Sequence, residues 1–108
     1  MRAGLVTLTD ANTNYNLKTL LEALTDWVPT AGVVPMKVRE ILIMADPSNA
    51  AGIVLLGDDK LSATRYGWSL IAEASVPFRS YGNNIYVGDY YARSATAGMK
   101  LGITLEWQ

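Results

Sequence analysis

The sequence of 108 residues contains neither cysteine nor histidine. Without cysteine there is no disulfide and no thiolate zinc site, and without histidine there is no imidazole for acid–base catalysis or for activating a nucleophile. The serines remain as nucleophiles, but none lies in a nucleophile-elbow or S-x-x-K motif. We therefore expect a protein that is not an enzyme and has no cofactor and no metal.

Charge is also scarce and evenly spread. Lys plus Arg is 9 and Asp plus Glu is 10, for a net charge of −1, with no basic block. Binding to nucleic acid through phosphates requires clustered basic residues, so we expect no nucleic-acid partner. The longest apolar runs, 41–45 and 53–56, are too short to cross a bilayer, and the N-terminus turns polar after Leu8, unlike a signal peptide. We expect no membrane partner and no classical secretion.

One segment has helical periodicity. In "NLKTLLEALTDWVP" the leucines at 17, 20, 21 and 24 follow i, i+3, i+4 and i+7, which predicts one apolar stripe. Asn14 or Asn16 is suited to cap the start, and Pro29 to end whatever follows Trp27. The stretch 29–35, "PTAGVVP", is interpreted as a linker.

After residue 36 the patterns are those of strands. Met99, Leu101, Ile103, Leu105 and Trp107 alternate with polar residues or glycine, which predicts a strand with one buried face. In "KVREILIMAD" both faces are apolar, which suggests burial by the helix or by a neighbouring subunit. Short strands separated by Gly, Pro and Asn predict a mainly β fold, an antiparallel β-sandwich or jelly-roll-like barrel with an N-terminal arm and one short helix. The predicted division is 1–35 for arm, helix and linker and 36–108 for the β-sandwich domain.

The stretch "ADPSNAAGIVLLGD" allows two interpretations. Its Asp, Asn and Gly residues suit a site for an ion or a sugar, or the tight turn of a hairpin between "VREILIMA" and "GIVLLG". A turn accounts for each residue, because Pro47 presets φ, Asn49 and Gly52 tolerate left-handed backbone, and Asp46 accepts backbone N–H groups. A calcium site would need Asp58 and Asp59 to converge with Asp46 or Asp89.

Aromatic residues are concentrated in the second half. Tyr66, Trp68, Tyr81 and Tyr86 suit core packing, a protein interface or stacking on sugar rings. The segment "GDYYARSATAG" is predicted to be an exposed loop that presents Tyr90, Tyr91 and Arg93, residue types favoured at interaction hot spots.

Residues 36–107 resemble a recurrent type of small tailed-bacteriophage virion protein. The resemblance is carried by "ILIMADPSNAAGIVLLGDDKLSATRYGWSLIAEASVPF" and "NNIYVGDYYARSATAGMKLGITLEW". Its elements are an aliphatic strand, Asp-Pro-x-Asn, a strand ending in Gly-Asp, a Ser-Ala-Thr turn, an Ile-Tyr-Val strand and a closing aromatic strand. The chain lacks the Pro-Gly turn usual after the Ser-Ala-Thr segment. The resemblance implies a β-sandwich structural component, such as a capsid decoration (cement) protein or a minor head or tail protein.

The functional expectation is therefore a virion protein, made in the host cytoplasm, that binds the major capsid protein or other virion subunits and forms a homotrimer. The expected contacts are Leu5, Val6, Leu8, Tyr90, Tyr91 and Arg93, with residues 1–16 as an arm around neighbours. Removing the first ten residues would then weaken particle binding and leave the β domain folded. The alternatives are a tail, fibre or connector component with a carbohydrate-binding β-sandwich, and a small hydrolase using Asp58, Asp59 or Glu73.

Overall fold

The computed structural model describes residues 2–24, 37–50, 52–80 and 85–106. Within these ranges the chain forms one short helix, α1 (Leu17–Glu22), and a series of mostly short strands. The strands are, in chain order, β1 (Arg2–Leu8), β2 (Tyr15–Asn16), β3 (Lys37–Val38), β4 (Glu40–Ala45), β5 (Val54–Gly57), β6 (Trp68–Leu70), β7 (Ser75–Arg79), β8 (Ile85–Tyr86), β9 (Tyr91–Ser94) and β10 (Met99–Glu106).

The strand pairs are nested around a single turning point, the loop 58–67. β5 pairs with β6 across this loop, and outward from it β4 pairs with β7, β3 with β8, β2 with β9 and β1 with β10, all antiparallel. The chain is thus one long antiparallel ribbon folded at its centre. Two further pairings, β4 with β10 and β5 with β9, join the ribbon to itself.

These pairings produce two four-stranded sheets. Sheet 1 has the order β1-β10-β4-β7, and sheet 2 has the order β2-β9-β5-β6. Apart from the β5–β6 hairpin, consecutive strands of these sheets lie in opposite sheets, as in a ribbon rolled into a jelly roll. The prediction of an antiparallel sandwich or jelly-roll-like fold with a short helix is confirmed.

The core follows from alternation along the strands. On β4 the side chains of Ile41, Ile43 and Ala45 are fully buried, whereas Leu42 and Met44 face outward. β10 alternates in the same way, with Met99, Leu101, Ile103 and Leu105 inward. The buried face predicted for β10 is confirmed in the described residues, and Trp107 lies outside them. β4 was expected to be buried on both faces, but within the chain only the face with Ile41, Ile43 and Ala45 is buried.

The helix packs against β1, β2 and the turn at residues 87–89, and it is shorter than its leucine stripe. The Asn16 side chain caps it, accepting hydrogen bonds from the backbone N–H groups of Lys18 at 2.9 Å and Thr19 at 3.3 Å. Leu17 and Leu21 are fully buried, and Asn16 also donates to the Gly88 carbonyl at 2.8 Å. The predicted continuation through Trp27 to Pro29 and the linker 29–35 lie outside the described residues.

The segment "DPSNAAG" does not close a hairpin, contrary to the prediction. β4 and β5 belong to different sheets, so the segment carries the chain across the sandwich. Asp46 does accept the backbone N–H of Ser48, as predicted, at 3.0 Å. The left-handed φ falls on Ala50, at 53°, rather than on Asn49 or Gly52. Of the local predictions only the Asp46 hydrogen bond is confirmed, and the hairpin is wrong because the partner of each strand is decided by distant residues.

Asn49 fixes this crossing to β10. Its buried side chain donates to the Lys100 carbonyl at 2.9 Å and accepts the Lys100 N–H at 2.8 Å. The amide therefore takes the place of a strand partner just beyond Leu101, where the pairing of β10 with β4 ends. A buried backbone group left without such a partner costs free energy.

We predict that Asn49→Ala lowers the free energy of unfolding by about 1–3 kcal/mol, because the Lys100 N–H loses its acceptor. Urea denaturation measures the change. Thr96→Ala, at an exposed turn residue, serves as the control and should change stability by less than about 0.5 kcal/mol. Equal effects of the two substitutions would contradict the bridging role.

Residues 2–8 form a strand of the sandwich rather than part of an arm. β1 pairs with β10 over its whole length, from Arg2 opposite Leu105 to Leu8 opposite Met99. Val6 is 2% exposed and Leu8 is fully buried. The predicted division of the chain at residue 35, between the N-terminal arm and the β-sandwich domain, therefore separates β1 from the sheet to which it belongs. Deleting the first ten residues would remove two core side chains, Val6 and Leu8. The β domain is therefore expected to unfold without these residues, contrary to the expectation from the sequence.

We predict that Leu8→Ala destabilises the fold by about 2–5 kcal/mol, since it empties a fully buried site. Leu5→Ala, on the outward face of the same strand, should cost less than about 1 kcal/mol. The midpoint of urea denaturation of each variant measures the difference. Similar midpoints would show that this segment is not held in the sheet.

Candidate functional site

The outward face of sheet 1 carries exposed apolar side chains. Leu5 of β1 is 50% exposed, and Leu42 and Met44 of β4 are 37% and 38% exposed. Strand register places them together, since Leu5 lies opposite Gly102 and Gly102 lies opposite Met44. An apolar cluster spread across neighbouring strands marks a surface suited to another macromolecule.

This cluster extends over two adjacent rows of the sheet. One row contains Leu5, Gly102, Met44 and Ser75, and the next contains Ala3, Thr104, Leu42 and Pro77. We call the "outer patch" the apolar and small residues of these rows: Ala3, Leu5, Leu42, Met44, Pro77, Gly102 and Thr104.

Charged residues flank the two ends of the outer patch. At one end Arg79 donates to Glu40 at 2.7 Å, and Glu106 lies opposite Glu40 in the register. At the other end Lys100 lies opposite Thr7. The patch thus has an apolar centre and a polar rim, the usual anatomy of a protein interface.

The predicted contact residues do not form one surface. Leu5 lies in the outer patch, whereas Val6 and Leu8 are buried in the chain's own core, so neither is accessible to a partner. The prediction treated the three residues as one arm, and strand alternation separates them. Only Leu5 remains a candidate contact from β1.

Tyr91 and Arg93 lie on the other sheet and Tyr90 directly precedes its strand β9, so these three residues are not in a loop after Asp89. Residues 85–94 contain β8, a short 3-10 turn at Val87–Asp89, and β9. Tyr91 and Arg93 are half-buried on β9, and an Arg93 Nη1 donates to Asn14 Oδ1 at 3.4 Å. Tyr90 packs against the core. The loop of this region begins only after Ser94.

A second surface lies where the β5–β6 hairpin meets the 3-10 turn before β9. It is a cleft of about 490 Å³, which we call the "hairpin cleft". Its lining residues are Gly57, Asp58, Arg65, Tyr66, Gly67, Trp68, Asp89 and Tyr90. A neighbouring depression of about 520 Å³ is lined by Asp58, Asp59, Gly88, Asp89 and Tyr91. Most of these side chains stand out in the sequence by their chemical type, but only the nesting of the ribbon brings 58–68 beside 89–91.

The loop that forms one wall of the hairpin cleft is held in place. Leu61 is 3% exposed, and its carbonyl accepts a hydrogen bond from Asn14 Nδ2 at 2.8 Å. Asp58 Oδ1 accepts the Lys60 N–H at 2.9 Å, and both Asp58 oxygens accept from Arg65, at 3.3 and 3.2 Å. The wall therefore has a defined shape without a ligand.

The aromatic wall is fixed from behind by Phe78 of β7. The Phe78 ring lies edge to face with Trp68 at 4.6 Å between centroids and is tilted against Tyr90 at 4.7 Å. Trp68 is 41% exposed and Tyr66 is 50% exposed. The exposed tryptophan that a carbohydrate-binding interpretation requires is therefore at position 68, and Tyr81 lies outside the described residues.

The electrostatics of the hairpin cleft affect Tyr90. Burial, and secondarily the charge of Asp89, raise the pKa of the Tyr90 phenol above its usual value of 10.0. At neutral pH the phenol is therefore a neutral group able to donate or accept a hydrogen bond.

The aspartates that a calcium site would need are only partly brought together. Asp58, Asp59 and Asp89 border the depression beside the hairpin cleft, while Asp46 lies in the crossing between β4 and β5. Glu73 lies in the turn between β6 and β7 and does not line the cleft. Across residues 2–24, 37–50, 52–80 and 85–106, no group of three or more acidic side chains is arranged to hold a metal ion. In the same ranges no helix has the length and apolarity needed to cross a membrane.

Comparisons of the chain with protein-family models, with curated proteins and with solved structures gave no match. A function is therefore inferred from the two surfaces described above and from the sequence resemblance.

We predict that Tyr90 makes the protein less stable at alkaline pH. Tyr90 ionises near pH 10 in the unfolded chain and at higher pH in the folded chain. The contribution of the neutral phenol to the free energy of unfolding is therefore full below pH 10 and is lost as the pH rises through the folded pKa. Urea denaturation from about pH 9 to about pH 11 should show a steeper loss of stability in the wild type than in Tyr90→Phe. Parallel slopes would refute this assignment.

Proposed function

We propose that the protein is a non-enzymatic structural component of a virion, a capsid decoration (cement) protein that attaches to a subunit of the shell through the outer patch. The observation that carries the proposal is the grouping of the exposed side chains of Leu5, Leu42 and Met44 on neighbouring strands of one outward face. These side chains lose contact with water only when a partner covers them.

The rim of the outer patch favours a protein partner over a lipid surface. Lys100 lies at one end, and Glu40, Glu106 and Arg79 lie at the other, so both signs of charge are present. Anionic membranes attract clusters of lysine and arginine, which this face lacks among the described residues. A protein subunit can complement this face if it has an apolar strip that covers the patch and charges of opposite sign facing those of the rim.

The fold adds a weaker argument by analogy. Jelly rolls occur in viral capsid proteins and in lectins, so the topology is compatible with the proposal without identifying it. The resemblance of residues 36–107 to small phage virion proteins points the same way.

The proposed mechanism is mechanical. A copy bound across the junction between shell subunits buries the outer patch and adds its binding free energy to the assembled state, which it stabilises by mass action. In the proposed homotrimer three outer patches act together, so the linked copies bind with greater avidity than a single copy.

We predict that Leu42→Lys combined with Met44→Lys weakens binding to capsids at least about tenfold, because two charges would be buried against an apolar surface. The measurement is co-sedimentation with expanded capsids that lack the protein, over a concentration series. Stability should change little, since both positions are outward-facing. Sedimentation equilibrium of the free protein tests the trimer separately.

Ile53→Lys is the matched control, since Ile53 is 44% exposed and lies next to β5, on the other sheet. It should leave co-sedimentation unchanged. Saturable wild-type binding that the double substitution does not affect would exclude the outer patch. No binding of the wild type to any capsid would refute the decoration role.

A further inference from the structure

We propose that the hairpin cleft binds a neutral pyranose ring of a glycan. The proposal is independent of the outer patch, because the cleft is built from the β5–β6 hairpin of sheet 2 and the turn before β9. It depends on one juxtaposition, a wall of exposed aromatic rings facing a polar wall that offers both donors and acceptors.

The aromatic wall suits the apolar C–H face of a sugar. Trp68 and Tyr66 are two residues apart at the cleft, and each leaves two-fifths or more of its surface exposed. Phe78 supports Trp68 edge to face, and the Gly67 N–H donates to the Leu56 carbonyl at 2.8 Å. The tryptophan is therefore held in place before binding, which reduces the entropy lost when a ligand is bound.

The polar wall suits hydroxyl groups, which both donate and accept. Arg65 spans Asp58 with two hydrogen bonds and keeps other N–H groups for a ligand. Asp58 Oδ2 accepts one described side-chain hydrogen bond, and Asp89 accepts none among the described residues, so both retain acceptor capacity. Planar carboxylate and guanidinium groups can each contact two neighbouring hydroxyls.

Charge and size select among small ligands. Arg65 offsets the charge of Asp58, so the lining of the cleft keeps one net negative charge, that of Asp89, which disfavours an anionic sugar. Its volume of about 490 Å³ lies within the usual range of small-molecule sites, about 300–1,000 Å³. The cleft is also open to solvent on one side, so we expect a dissociation constant of about 1 mM for one sugar unit.

The test uses the full chain labelled with ¹⁵N and titrated with methyl glycosides of glucose, galactose, mannose, fucose and N-acetylglucosamine, each to about 50 mM. We expect at least one glycoside to shift the Trp68 indole and Gly67 amide resonances saturably. No shift from any of the five would overturn the proposal. Shifts caused by tetramethylammonium but by no sugar would overturn it in favour of a cation-binding aromatic cage.

Variants locate the site. Trp68→Ala should weaken binding about tenfold, and Tyr66→Ala, at a half-exposed residue with no described side-chain hydrogen bond, should do so without disturbing the Phe78 contact. Asp89→Asn tests the polar wall with almost no change of shape. The matched control is Tyr86→Ala, because Tyr86 is 43% exposed and does not line the cleft. If Tyr86→Ala weakens binding as much as Tyr66→Ala, the sugar does not bind in the cleft.

Discussion

The antiparallel pairing of the two halves of the chain around the loop 58–67 is the constraint on which the rest of the structure depends. Each strand before the loop has its partner at the mirrored position after it, from β5 with β6 out to β1 with β10. Rolling this ribbon buries one face of each sheet against the other. The same rolling produces both candidate surfaces. The outer patch is the face of sheet 1 that stays unburied, and the hairpin cleft forms beside the loop 58–67, where the ribbon turns.

Local patterns predicted much of the fold because they act over a few residues. The alternation in β4 and β10, the Asn16 cap and the Asx hydrogen bond of Asp46 all depend on near neighbours, and the structure has each of them. The choice of strand partner depends instead on residues far away in sequence. For this reason the segment after Asp46 was interpreted as a hairpin turn although it joins the two sheets.

The candidate site was less predictable for the same reason. An exposed Leu5 and a buried Leu8 look alike in sequence until the sheet assigns their faces, so the arm hypothesis grouped them together. Arg65 was not singled out, because its pairing with Asp58 requires the loop geometry around Leu61. Asp58, Trp68 and Asp89 were considered as chemical types, but no spacing indicated that they would meet.

The nesting of the strand pairs has a kinetic consequence. β5 and β6 are close in sequence, whereas β1 and β10 enclose nearly the whole described chain, so the outermost pair has the largest loop-closure entropy to overcome. A fold dominated by such distant contacts belongs to the slow-folding class, in which the central hairpin can form early and the outer strands join late. The edge strand β1, which holds Leu8 in the core, would then remain unpaired longest, and association between chains competes with folding in that interval.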